Sequence, residues 1–405
     1  MRFFWQVDTN VVLLWVLILF FPEVVCGMEW TYFGWRLDPT FSLNEEFNDN
    51  PRLSFEQKDA GFITTISPGL LIGRREERWE VNLGATLNYD IYNGVDIPDR
   101  DSERIRLRSH LYFTERAFFQ LNGSYVRDTL LRRVFIEIDE DFLEPIEDID
   151  IGLVDVSTRR NRVQINPSWR YALTERTSLQ LEYGFTDLSY AESEEINLIN
   201  TQQHLLSGKG FYELTPISTL SLNVNATRRT SEDESETDNL EALVGWNHLF
   251  SETLQGEARA GYRITSASSN DEEETSNGFV GELTIQYLTE VGSLRGTISR
   301  TVTPSGNGRS NQTDRIRIQY TQEVMPRLSF VLRGDAFRTE PVEDDFSQGE
   351  RRYFDVEPRL LWNWTRWWAV EAGYHYRRRE NESPSESASS NAVFVAITYT
   401  PLIER

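Results

Sequence analysis

Apolar and polar residues alternate with period two along stretches that are long for a globular strand. In 79–91, Trp79, Val81, Leu83, Ala85, Leu87, Tyr89 and Ile91 share one face, and Glu80, Asn82, Gly84, Thr86, Asn88 and Asp90 share the other. The pattern recurs in 178–186, where Leu179, Leu181, Tyr183 and Phe185 alternate with Ser178, Gln180, Glu182, Gly184 and Thr186. It returns in 219–227, with Leu220, Leu222, Val224 and Ala226 against Thr219, Ser221, Asn223, Asn225 and Thr227. Period two places successive side chains on opposite faces of a strand, and roughly 9–11 tilted residues carry a strand across a bilayer.

A unit of strand, tight turn and strand repeats about every 38 residues. The turns lie in LIGRREERWEV (71–81), YFTERAFFQL (112–121), YALTERTSLQL (171–181), YELTPISTLSL (212–222), HLFSETLQGEA (248–258), YLTEVGSLRGT (287–297), YTQEVMPRLSF (320–330) and WNWTRWWAVE (362–371). Longer polar segments separate them: 92–102, 130–160, 191–198, 230–238, 267–276, 304–312, 340–350 and 379–389. With a first strand near Trp35 to Phe47 and a last near Asn391 to Tyr399, the count is about eighteen, in a range of about 16–20. The predicted fold is all-β: a transmembrane antiparallel up-and-down barrel with short periplasmic turns, long acidic external loops and both termini in the periplasm.

Alternation alone also suits a soluble sandwich, whose apolar face would be a core. Strand length favours the membrane, as do aromatics beside the short turns: Tyr112, Tyr171, Tyr212, Tyr287, Tyr320, Trp362, Trp364, Trp367 and Trp368 read as an interfacial girdle. Pro68, Pro167 and Pro358 run against strand chemistry, each about seven residues before a short turn and on the lipid face by parity. A bulge or a local break in the ladder would accommodate them, and Pro39 looks similar.

The N-terminus predicts a secretory leader over 1–27 and a barrel over 28–405. Arg2 precedes the apolar run Val11 to Phe21, Pro22 ends it, and Val25 and Gly27 suit cleavage before Met28. The only cysteine, Cys26, would leave with the leader, so no disulfide framework is expected in an oxidising periplasm. Net charge is -23, concentrated in Asp139 to Asp150, Glu232 to Asp238, Asp271 to Glu274 and Glu343 to Asp345. These read as solvated loops and exclude a nucleic-acid partner, which demands the opposite sign.

No enzyme constellation emerges. His248 sits near a short turn, nothing flanks His110, His204 or His375 as a catalytic partner, and no external loop holds a histidine. No cofactor is implied: His/Cys metal clusters are absent, and no acidic run has EF-hand spacing. Chemistry is left to the lumen, where parity places Arg106, Arg108, Arg170, Arg259, Arg263, Arg315, Arg317, Arg333 and Arg359, with Glu80, Glu182, Glu257, Glu282 and Glu371. Such residues either select anionic solutes in a wide aqueous channel or pair with one another across the wall. The loop from Arg132 to Arg160 carries Phe135, Ile136, Phe142, Leu143, Ile151, Leu153 and Val154, apolar enough to fold into the pore or cap it.

The opening PTFSLNEEFNDNPRLS (39–54), the segment SPGLLIGRREERWEVNLGATLNYDIY (67–92) and the recurrent L-T-E-R turns resemble the putative β-barrel porin 2 family. The resemblance spans nearly all of the mature chain. It implies an outer-membrane barrel and a porin-like role linked to exopolysaccharide export or biofilm matrix, since some members accompany exopolysaccharide gene clusters. Ending in Arg405, the chain departs from the usual aromatic assembly signal, so the barrel-assembly machinery would read Phe394 to Tyr399 internally. Expected partners are outer-membrane lipid and lipopolysaccharide, that machinery, and polysaccharide or small anionic solutes. The alternative is a structural or surface-interaction barrel with no open pore, and an outer-membrane hydrolase ranks last.

Overall fold

The computed structural model describes residues 31–400, apart from 33, 57, 130–157, 192–197, 234, 270–271, 305–309, 343–349 and 383–384. The expected leader and the apolar loop between Arg132 and Thr158 therefore lie outside the described residues. Every regular element described is a strand: β1 (Thr31–Tyr32), β2 (Trp35–Asn48), β3 (Gly61–Arg75), β4 (Trp79–Asn93), β5 (Arg100–Thr114), β6 (Ala117–Thr129), β7 (Arg159–Ala172), β8 (Thr177–Tyr190), β9 (Thr201–Thr215) and β10 (Ser218–Ser231). The series continues with β11 (Glu236–Leu249), β12 (Leu254–Ser269), β13 (Glu272–Thr289), β14 (Gly292–Pro304), β15 (Ser310–Met325), β16 (Leu328–Pro341), β17 (Arg351–Asn363), β18 (Trp368–Asn381) and β19 (Glu386–Tyr399).

Each strand from β2 to β19 pairs antiparallel with the next, and β19 returns to pair with β2 through Ala392–Asn48 to Tyr399–Phe41. The result is a closed barrel of eighteen strands, with β1 a two-residue extension folded back on β2. Closure removes sheet edges, which a hydrocarbon environment could not satisfy. The eighteen barrel strands, β2 to β19, run from 13 to 18 residues, longer than a bilayer requires, so their ends stand clear of it. All eight short turns fall where the sequence sets them. A ninth long-end connection, 49–60, joins β2 to β3 and is the one the sequence reading passed over.

The two faces differ as the alternation requires. Leu206 and Val244 are each 61% exposed, and Leu222, Ile298 and Val393 behave alike, so the apolar residues form an outer belt rather than a core. That arrangement excludes the sandwich, whose apolar face is covered.

The three prolines break the ladder without shifting it. Pairing of β3 with β4 runs to Ile66–Tyr89 and resumes at Gly69–Thr86, skipping Pro68. Pairing of β7 with β8 skips from Ile165–Phe185 to Ser168–Glu182, and β17 with β18 from Val356–Tyr376 to Arg359–Gly373. Register is the same on both sides of each gap, so the break is local and no bulge is inserted. Pro39 pairs with Leu70 of β3 but lies beyond the last β19 partner of β2, Phe41, an edge position that proline tolerates.

Candidate functional site: the lumen wall and its mouth

Cross-strand register carries one parity around the whole ring. Glu80 faces His110, Asn82 faces Arg108, and Gly84 faces Arg106. Followed strand by strand, the face opposite the apolar belt holds every lumen candidate: Arg106, Arg108, Arg170, Glu182, Glu257, Arg259, Arg263, Glu282, Arg315, Arg317, Arg333, Arg359 and Glu371. Arg263 and Arg359 face inward but are only 2% and 8% exposed, so they are covered rather than open to the lumen.

Several candidates meet. Arg259 donates through Nη2 to Glu282 at 2.6 Å and lies 3.1 Å from Glu257. Arg359 donates to Glu371 at 2.8 Å and lies 3.6 Å from Glu357. Arg315 donates through Nε to Asp335 at 2.7 Å, with Arg317 at 3.9 Å from the same carboxylate. Glu182 accepts from Lys209 Nζ at 2.9 Å. Arg170 donates to Ser178 at 3.1 Å and lies over the Phe211 ring at 4.9 Å. The candidates therefore include many wall ion pairs, whose partners Asp335, Glu357 and Lys209 obey the same parity and could have been named from it.

The β5 wall is arranged differently. Arg104, Arg106 and Arg108 occupy successive inward positions; their β4 neighbours are Thr86, Gly84 and Asn82, and their β6 neighbours are Val126, Ser124 and Asn122. No residue directly opposite them is acidic, and Asp128 on β6 lies within electrostatic reach of Arg104. One rung nearer the long loops, both oxygens of Asp128 accept from Arg160, at 2.9 and 2.6 Å.

At the long-loop end, 49–60 turns into the mouth. Pro51 sits second in a turn closed by Leu53 N–H donating to Asn50 carbonyl oxygen at 3.0 Å, a position its fixed φ suits. Asn50 anchors the turn, its Nδ2 donating to the carbonyls of Ser54 and Ser389 and its Oδ1 accepting from Ser54 N–H. Leu53, at φ 52°, packs with Tyr353 and Ala388 on the inward face, beside Phe55 and Phe337. Arg379 lies 4.2 Å over Phe55, and Phe337 and Tyr353 rings are 5.0 Å apart. The mouth is thus narrowed by a short loop that the sequence reading did not single out.

The histidines have ordinary settings. His375 Nε2 meets Asp355 at 2.9 Å inside the wall, His204 meets Tyr183 Oη at 2.8 Å outside it, and His248 stacks on Trp246. Among the described residues, no group of three His, Cys, Asp or Glu is placed to hold a metal.

A closed eighteen-strand barrel with an apolar belt and a charged interior defines the class as a porin-like outer-membrane β-barrel. Residues 31–400 match the family described as putative beta-barrel porin 2, and the chain belongs to that family. No curated protein matches it. Among solved structures it is similar to OccAB4 of Acinetobacter baumannii, at 8% identity over 90% of this chain and 98% of that one, with a TM-score of 0.47. It is also similar to two Pseudomonas aeruginosa proteins, each over 90% of this chain and 98% of the other. These are OpdK, solved with vanillate, at 10% identity and a TM-score of 0.49, and OccK2, solved with glucuronate, at 11% and 0.47.

Proposed function

We propose that the chain is an anion-preferring conduit through the outer membrane, with its long loops outside and both termini in the periplasm. The observation that carries this reading is the inversion of charge between chain and lumen. The whole protein is at -23, yet arginine outnumbers carboxylate on the inward face, most heavily along Arg104, Arg106 and Arg108. A cationic wall around an aqueous path raises the local concentration of anions. Porin-family membership supports a channel rather than an enzyme.

Reconstitution in planar bilayers under a KCl gradient tests it: stepwise currents with a reversal potential on the chloride side are expected. Cation-selective steps would overturn the preference, and no steps at all would favour a surface barrel without an open pore. A role in exopolysaccharide export rests on the family resemblance. It predicts reduced extracellular polysaccharide in a deletion strain, restored by the intact gene.

A further inference from the structure

Arg170 meets a ring where Arg259, Arg315 and Arg359 meet carboxylates. Its rung on the inward face, read from β5 to β9, is Tyr112, Phe118, Arg170, Gln180, Lys209. Tyr112, expected in the outer girdle, shares the inward parity of Arg108 and His110. The rung lies close to the short turns, at the end of the lumen away from the mouth that 49–60 narrows. Tyr112 and Phe118 rings are 6.0 Å apart and tilted by 41°. Tyr112 is 50% exposed and Phe118 half-buried, so both rings border the aqueous lumen. On its other flank, Arg170 donates through Nη2 to Ser178 and rests over Phe211, two contacts that fix the plane of its guanidinium.

The acids around this rung have other partners or stand apart from Arg170. Glu182, one rung toward the long loops, accepts from Lys209. Glu80, opposite His110, accepts from Asn82 and lies 3.8 Å from Arg75. Glu213 is the next inward position after Phe211, and the adjoining turns carry one acid and one base each, Glu115 with Arg116 and Glu175 with Arg176. Among the described residues, none of these carboxylates forms an ion pair with Arg170. Aromatic faces left open to water gain by covering, and a guanidinium fork beside them suits a carboxylate. Neighbouring strands lie about 4.8 Å apart, so rings and fork fall within the span of one six-membered ring and a carboxylate carried on it. We propose that Tyr112, Phe118 and Arg170 form a binding site for solutes built as a ring bearing a carboxylate. The ring packs against the lumen side of the aromatic pair, and the carboxylate accepts from Arg170. This site rests on the anion-conduit reading and deepens it by naming the class of anion.

The full-length barrel folded in detergent, titrated with benzoate in a calorimeter, tests the site with no membrane present. Benzoate is expected to bind about ten-fold or more tightly than acetate, which lacks the ring, or benzyl alcohol, which lacks the carboxylate. Arg170→Gln should lower benzoate affinity about ten-fold or more, the scale of losing a charge-assisted hydrogen bond. Arg170→Lys keeps the charge without the fork and should fall between. Phe118→Leu keeps apolar bulk without the ring face and should lower affinity about three-fold or more. Arg228→Gln, on the outer face, should bind as the wild type does, and heat-modifiable gel mobility reports folding of each variant. Cyclohexanecarboxylate binding as tightly as benzoate extends the site to saturated rings, and weaker binding assigns it to aromatic ones. Acetate or benzyl alcohol binding as tightly as benzoate, or benzoate binding unchanged in Arg170→Gln, would overturn the site. Planar-bilayer currents separate this site from the conduit. Anion-selective steps without benzoate binding overturn the site alone, and benzoate binding without steps overturns the conduit alone.

Discussion

The β5–β7 wall and the β15–β18 wall use arginine in opposite ways. β15 is the ninth strand on from β6 in a ring of eighteen, so the two walls face one another across the lumen. On β15–β18, Arg315 and Arg317 share Asp335, Arg359 lies between Glu357 and Glu371, and Asp355 receives His375. Each carboxylate lies beside a cation, and the network ties neighbouring strands together. On β5, the central arginines have only glycine, valine, hydroxyl and amide neighbours along their rungs. Arginine on the β15–β18 wall acts on the wall itself, and we infer that arginine on the β5 wall acts on what passes it. Position on the inward face does not distinguish the two; the facing residue does.

Neutralising the β5 ladder should break this contrast most visibly. Arg104→Gln/Arg106→Gln/Arg108→Gln is expected to lower the chloride-to-potassium permeability ratio on the order of ten-fold, the scale of local counter-ion enrichment in a charged cleft. The measurement is the reversal potential under a salt gradient. Arg315→Gln/Asp335→Asn should shift the ratio far less, because it removes a matched pair and leaves the lumen charge unchanged. Equal shifts from the two variants would erase the distinction between the walls.

Stability should respond in the reverse order. Glu371→Gln weakens a hydrogen bond to Arg359, whose guanidinium is largely covered, and should cost about 2 kcal/mol, as for other hydrogen bonds to charged groups. Arg106→Gln should change the urea midpoint of unfolding much less. If Arg106→Gln destabilises the barrel as much as Glu371→Gln does, the β5 arginines are structural too.

Alternation made the fold legible, because a lipid-facing strand must show its apolar residues on one side and closure leaves no other place for the polar ones. Face was therefore readable for Arg106, Arg315 and Glu371 alike. Partnership was not, since it depends on register, and Arg315 meets Asp335 only because β15 and β16 align Arg317 with that aspartate. The mouth shows a second limit. Asn50-Pro51 signals a turn, but its inward course depends on contacts with Ser389, Ala388 and Tyr353, more than 300 residues away along the chain. Removing the side chain of Phe55 by Phe55→Ala should widen this entrance and raise single-channel conductance modestly while leaving selectivity with the β5 wall. A change in ion preference instead would place the selective step at the mouth.

The smallest expected effect concerns the wall between these sites. Proline at Pro68, Pro167 and Pro358 removes an amide donor in each case, and each gap opens toward the following strand. Near Pro167 the missing rung lies opposite Tyr183 and Gly184, with Leu181 and Phe185 paired on either side. Backbone groups there cannot turn to lipid for hydrogen bonds, and lumen water is the remaining partner. The group left without its donor is the carbonyl of Tyr183, and the Tyr183 amide in the same weakened rung should exchange with deuterium faster than those of Leu181 and Phe185, which point to the same neighbouring strand. Pro167→Val, which restores a donor and suits a strand, should slow that exchange and add no more than about 1 kcal/mol, the net value of a typical hydrogen bond. Conductance and selectivity should stay unchanged, since Pro167 faces lipid with Ile165 and Trp169. If the exchange rates on β8 are uniform before and after the substitution, the gaps are already bridged within the wall, and the prolines carry no local weakness for water to reach.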